Sequence, residues 1–308
     1  MVDILVIGAG PAGLSAAVYA CRAGHSVVVL EENLVGGQIA SSSEVENYPA
    51  VARISGADFA MNLYEQAAAL GAKVEFEPVE RAELAGPVKK LYTPDGVYEG
   101  RTVIIANGAK RRKLGAPGEE EFAGRGVSYC ATCDGAFYRG KEVAIVGGGN
   151  TALEDALFLA NNCKTVHLIH RRGEFRGNKI LADAAVSREN IVIHYHSVVE
   201  KIEGEKQVGA VSILSGEAEK QPVRIPVSGV FIAVGTVPGN ALFEGQLELD
   251  AAGYLVAGED CLTKIPGVYV AGDTRTKQLR QLVTANADGA VAAVAASTYL
   301  ATLEASGS

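Results

Sequence analysis

Asp3-Ile-Leu-Val-Ile-Gly-Ala-Gly-Pro-Ala-Gly13 leads into an Ala-rich stretch, Leu14 to Ala23, and then into the β-branched run Ser26 to Leu30, which ends on Glu31. The apolar runs are short, as buried strands require, and the Ala-rich stretch has helical character. Between them Gly8, Gly10 and Gly13 permit a tight turn and a close approach of backbone to a ligand. Strand, turn, helix and strand make one complete βαβ unit. A second follows: strand Glu142 to Val146, turn Gly147-Gly-Gly-Asn-Thr-Ala152, helix Leu153 to Asn161 and strand Thr165 to His170. Two such units predict an α/β protein with two Rossmann-like nucleotide-binding domains.

The stretches around these units predict how the domains are threaded. Gly108 to Glu121 is polar, charged and punctuated by Gly and Pro, which suits a linker, and a second break falls at Gly235-Thr-Val-Pro-Gly-Asn240. Beyond it lie only a strand-like Val268 to Ala271, the turn Gly272-Asp273 and a helical run from Gln281, too little for a third domain. The tail is therefore expected to complete the first domain. Residues 1–112 and 239–308 would form one domain and 113–238 an inserted one, with two linkers side by side that permit rotation.

The two glycine turns differ in the dinucleotide they suit. In a βαβ fold the pyrophosphate sits over the positive end of the helix, so Gly8, Gly10, Pro11, Ala12 and Gly13 are candidates at the first turn, and Gly147, Gly149, Asn150 and Thr151 at the second. Glu31 ends the first unit and can accept hydrogen bonds from ribose hydroxyls, which suits FAD. At the corresponding place the second unit carries Arg171 and Arg172, with Arg176 just beyond. Guanidinium groups recognise a 2'-phosphate through charge-assisted bonds, so this site is expected to prefer NADPH over NADH. The alternative is a solvated basic patch at a strand end.

Cys130-Ala-Thr-Cys133 lies just before the second unit and is followed by Asp134-Gly135. This spacing permits a reversible disulfide and lowers one thiol pKa, so it reads as a redox dithiol. Zinc is the alternative, but no second Cys pair supplies four ligands; His194 and His196 alternate on an expected strand. Asp134 reads either as a turn former or as a general acid protonating a departing thiolate. Cys21, Cys163 and Cys261 stand alone and read as buried apolar residues.

The chain has 308 residues, 48% hydrophobic and 21% charged, with a formal net charge of -8. The acidic balance argues against nucleic acid or an anionic membrane as partner. The apolar stretch Ala290 to Ala296 is far shorter than a bilayer span. Met1 to Ile7 enters a strand without a basic lead, so the cytoplasm is the expected compartment.

Taken together, the motifs resemble the bacterial low-molecular-weight thioredoxin reductases over essentially the whole chain. The resemblance rests on Gly36-Gly-Gln38, Glu46-Asn-Tyr-Pro49, Cys130-Ala-Thr-Cys-Asp-Gly135, Gly147-Gly-Gly-Asn-Thr-Ala152, His170-Arg-Arg-Gly-Glu-Phe-Arg176, Ala271-Gly-Asp273 and Arg280-Gln281, in that family's order. It implies that Gly36, Gly37, Gln38, Asn47 and Gly108 lie along the FAD, and that Asp273, Arg280, Gln281 and Leu282 hold its flavin and ribityl end. It implies that NADPH reduces the flavin and the flavin reduces the disulfide through Cys133. Cys130 would then attack the disulfide of thioredoxin or a thioredoxin-like protein, with Asp134 as proton donor. A homodimer is also implied. The chain departs from the family at Ala136, where an aromatic residue often precedes Phe137, and at Gly173-Glu174. A ferredoxin donor or a different disulfide acceptor on the same fold is the rival reading; the Arg cluster and second glycine motif speak against the former.

Overall fold

In the computed structural model the described residues are 1–42 and 44–305, and they divide into two compact units, Met1–Lys110 with Val237–Ser308 and Arg111–Thr236. In the first unit β1 (Val2–Ile7), α1 (Pro11–Arg22) and β2 (Val27–Leu30) follow one another directly, then α2 (Gly56–Ala69) and β3 (Lys73–Glu75). The chain next turns back as a meander, β4 (Arg81–Glu83), β5 (Lys89–Thr93) and β6 (Gly96–Ile105). The sheet order is β3-β2-β1-β6-β5-β4, parallel from β3 to β6 and antiparallel through the meander. β1 and β2 are buried almost throughout, which is why they read as continuous apolar runs rather than alternating ones.

Short strand β7 (Ala109–Arg111) is where the chain leaves the first unit. The second unit holds β8 (Val127–Ser128), α3 (Ala131–Asp134), β9 (Glu142–Gly147), α4 (Asn150–Ala160), β10 (Thr165–Ile169), α5 (Lys179–Ser187) and β11 (Ile191–His194). An antiparallel sheet, β12 (Ser197–Gly204), β13 (Val208–Ser215) and β14 (Gln221–Pro226), precedes β15 (Gly229–Ala233). The parallel sheet runs β11-β10-β9-β15-β8. The chain returns through β16 (Thr236–Pro238), which pairs with β7. β17 (Val268–Val270) then joins the first sheet alongside the C-terminal half of β6, and α6 (Leu282–Ala305) closes the first unit against α1. Among the described residues no helix is long and apolar enough to cross a membrane.

The segment expected to be an interdomain linker is anchored by a buried carboxylate. Glu119, 1% exposed, accepts from the Leu114 and Gly115 backbone N–H groups at 2.9 and 2.6 Å and from the Tyr129 hydroxyl at 2.7 Å. His196 lies outside the strand on which it was expected to alternate, at φ 50°. His194 instead meets His167 of the neighbouring strand, Nε2 to Nδ1 at 3.1 Å. Among the described residues no group of three His, Cys, Asp or Glu is placed to hold a metal ion.

The paired imidazoles give the second unit a pH dependence. Burial depresses both pKa values, opposed at His167 by Glu142 and reinforced at His194 by His167 itself. The unfolded chain then binds more protons than the folded one as pH falls through the ordinary value of 6.5, so stability decreases in that direction. The unfolding midpoint is expected to fall between about pH 7.5 and pH 5.5, and His194→Asn is expected to flatten that slope, as read by circular dichroism melts.

Candidate functional site

The cradle of the first unit is built by backbone proximity. A Cβ at Gly13 would fall 1.9 Å from the Gly8 carbonyl oxygen, and one at Gly8 would fall 2.5 Å from that of Ala106. Only glycine lets α1 pack this tightly under the end of β1. Gly10, by contrast, faces open space, and α1 starts at Pro11 with no side-chain cap, so the positive helix end is available to an anion. The Glu31 carboxylate is drawn to the same turn, Oε2 accepting from the Ala9 N–H at 2.7 Å and Oε1 from Asn33 at 2.9 Å.

The sequence-distant candidates converge on this unit. Gly36 N–H donates to Ala9 O at 2.8 Å, and a Cβ at Gly37 would stand 3.6 Å from Gly10 Cα, so the turn Gly36-Gly37 faces the glycine turn. Gln38 Nε2 donates to Ala109 O, next to Gly108. Asn47 Nδ2 donates to Gln281 Oε1 at 3.1 Å. Arg280 lies over the Tyr254 ring at 4.1 Å and donates to the carbonyl of Asp273 at 3.3 Å, and Leu282 opens α6. Asn286 was not foreseen: its Nδ2 donates to the Tyr48 hydroxyl at 3.1 Å, while its Oδ1 is buried without a partner. A glycine cradle, an uncapped helix end, a carboxylate at the same turn and an orphaned acceptor fit a dinucleotide such as FAD.

The second unit repeats the cradle with a different rim. Gly147 closes on the Ala233 carbonyl at 2.5 Å from a notional Cβ, Gly149 faces open space, and α4 begins at Asn150 without a side-chain cap. Asn150 Oδ1 accepts from Asn178 N–H at 2.7 Å, beside Thr151 on the first helical turn. His170 bridges the cradle to the arginine loop, Nδ1 standing 2.9 Å from Gly147 O and Nε2 2.9 Å from Glu174 O. Arg176 N–H donates to Gly148 O at 2.8 Å. Arg171, Arg172 and Arg176 are exposed, and among the described residues none is engaged in an ion pair. Three exposed arginines on the loop that Arg176 N–H ties to the glycine turn fit the phosphates of NADPH.

Cys130 and Cys133 are joined by a disulfide of 2.06 Å. Cys130 caps α3, its Sγ accepting from Cys133 N–H at 3.2 Å, and Thr132 Oγ1 lies 3.4 Å away. Asp134 is tied in by Ser128, whose Oγ donates to Asp134 Oδ2 at 2.6 Å and accepts from Cys130 N–H at 3.1 Å. Ser128 is 5% exposed on β8, a role no motif announced. After the dithiol, Tyr138 packs edge-on against Phe231 at 5.3 Å between ring centroids, leaving Phe137, 40% exposed, as the aromatic side chain on the surface.

Known proteins share this arrangement across their length. The model of the pyridine nucleotide-disulphide oxidoreductase family matches residues 2–289. A thioredoxin reductase of Treponema pallidum is 40% identical over 306 residues, covering 98% of each chain. One of Mycolicibacterium smegmatis is 41% identical over 304 residues, covering 97% of this chain and 96% of its own. The crystal structure of thioredoxin reductase from Streptococcus pyogenes superposes with a TM-score of 0.93 at 40% identity, covering 98% of this chain and 99% of that one. With two dinucleotide cradles and a disulfide CxxC, the chain belongs to the pyridine nucleotide-disulphide oxidoreductase family, within its thioredoxin reductases, which use FAD and NADPH.

Proposed function

We propose that this chain reduces the disulfide of thioredoxin or a closely similar protein, as a cytoplasmic homodimer, with Cys130 as the attacking thiol. Residues 1–112 and 239–308 hold FAD and residues 113–238 hold NADPH. FAD, when bound, supplies the two-electron chemistry that links a hydride donor to a disulfide. The Cys130 thiolate attacks one partner sulfur and forms a mixed disulfide, while the other partner sulfur leaves and takes a proton. Cys133 then attacks Cys130 Sγ, reforming the Cys130–Cys133 bond and releasing the partner as a dithiol.

The observation that carries this reading is the tie between Asp134, Ser128 and Cys130. Asp134 is the proton donor to the leaving thiolate, and Ser128 fixes its carboxyl beside the dithiol. The Cys133 N–H donates to Cys130 Sγ at 3.2 Å, which orients the attacking sulfur. Glu31 receives ribose hydroxyls, while Arg171, Arg172 and Arg176 receive the 2'-phosphate. Phe137 offers an apolar contact to the docking protein.

Steady-state NADPH oxidation with a bacterial thioredoxin as acceptor tests the partner. Turnover is expected to exceed that with a small aromatic disulfide by about tenfold or more in kcat/KM, the size of effect that added docking contacts supply. Equal kcat/KM for the two acceptors would leave thioredoxin without a claim.

A further inference from the structure

Outside both glycine turns, a cluster of buried charges in the first unit gathers at Asp288 in α6. Its side chain is 6% exposed, and those of Arg275 and Lys277 are 1% and 4%. Asp288 Oδ2 accepts from Arg275 Nε, Lys277 Nζ and the Gly272 backbone N–H, each at 2.8 Å, and Oδ1 accepts from Arg275 Nη2 at 2.9 Å. Glu259, almost fully exposed, meets Arg275 Nη2 at 3.2 Å from the solvent side. Burial alone would raise the Asp288 carboxyl, but the bonds from Arg275 and Lys277 outweigh it and hold the group below its usual range.

A carboxylate has about four lone-pair sites, and here three donors converge on Oδ2 and a fourth reaches Oδ1, so most of that capacity is taken up within the protein. Asp288 has little capacity left for a ligand, so its influence passes into the segment it holds, Gly272 to Lys277. That segment carries Asp273, and Arg280 fastens it further through the carbonyls of Asp273 and Arg275 at 3.3 and 3.1 Å. The segment also touches the first glycine cradle. A Cβ at Gly272, at φ 79°, would fall 2.8 Å from Ala12 Cβ, and one at Gly289 would fall 2.1 Å from Ala12 O. The turn bearing Asp273 and the helix bearing Asp288 therefore both rest on the first turn of α1.

We propose that Asp288 is a positioning residue for FAD: through the Gly272 N–H and the Arg275 and Lys277 side chains it sets where Asp273 stands against the start of α1. This rests on the reading that this unit holds FAD through Gly8 to Gly13 and Asp273. A purely structural ion cluster would affect folding alone; a positioning residue affects affinity in protein that is already folded. Asp288→Asn is nearly isosteric, removes the charge, and turns a donor toward the Gly272 N–H or Arg275.

The experiment measures the dissociation constant of FAD by flavin fluorescence on apoprotein of the wild type, Asp288→Asn and Asp273→Ala. Far-UV circular dichroism first establishes that each apoprotein is folded. Both variants are expected to bind FAD about tenfold or more weakly, Asp273→Ala by losing a direct contact and Asp288→Asn by losing the outer partner that positions it. Weakened binding in Asp273→Ala with wild-type affinity in Asp288→Asn overturns the positioning role alone. Wild-type affinity in Asp273→Ala overturns the FAD reading of this turn and the proposal with it. Should Asp288→Asn not fold without FAD, Asp288→Glu keeps the charge, displaces the carboxylate by one methylene, and carries the same expectation.

Discussion

Cys130→Ser is expected to abolish reduction of a protein disulfide, by at least about a thousandfold in kcat, because removing a nucleophile removes the whole exchange pathway rather than a share of it. Its Sγ is the atom that accepts from the Cys133 N–H, and a serine hydroxyl neither ionises near neutral pH nor forms a mixed disulfide. The bleaching of the flavin by NADPH should survive in the same variant, since both glycine cradles are untouched. Cys163→Ala serves as the control. That thiol is buried in the core of the second unit, where burial pushes its pKa up, and its loss should leave turnover within about twofold. Stopped-flow absorbance for the flavin and an acceptor assay for turnover read the two steps separately. Wild-type turnover in Cys130→Ser would remove the dithiol from the reaction.

Replacing Arg171 and Arg172 together with Ala should raise KM for NADPH about 100-fold while leaving KM for NADH nearly unchanged. Hydrogen bonds to charged groups contribute about 1.5–3 kcal/mol each, and exposure of these side chains favours the low end, so two amount to about 3 kcal/mol. Both side chains are exposed beside the glycine turn and free of ion pairs among the described residues, so little of their charge is spent within the protein. The effect should shrink as salt is raised, because exposed charges are screened. Steady-state kinetics with both nucleotides at two ionic strengths decide the matter. Unchanged selectivity would make Arg171 and Arg172 a solvated patch.

Much of this architecture could be read from the chain because the nucleotide folds use local signals. A buried parallel strand is a continuous apolar run, the turn needs glycine for contact reasons seen at Gly8 and Gly13, and the helix follows at once. The CxxC and the arginine cluster are likewise contiguous in sequence. The supporting residues were illegible for the opposite reason. Ser128, Asn286 and Asp288 act across 6, 238 and 16 residues of separation, and a lone Ser, Asn or Asp carries no pattern. Glu119 was illegible for a different reason: in a charged, Pro- and Gly-punctuated stretch that reads as a linker, nothing marks the one carboxylate that is buried and accepts from the Leu114 and Gly115 N–H groups. His194 and His196 look like an alternating pair on one strand, but the strand ends at His194 and its neighbour across the sheet, His167, takes the contact.

Anaerobic titration of the purified holoprotein with NADPH, following the flavin absorbance, tests the central claim that one chain couples nicotinamide, flavin and the Cys130–Cys133 disulfide. The account predicts that the wild type takes up one electron pair for the flavin and one for the disulfide, that Cys130→Ser takes up only the first, and that NADH at the same concentration leaves the flavin oxidised. A wild-type protein that bleaches with dithionite but not with NADPH, or that takes up no more than the Cys130→Ser variant, would contradict it.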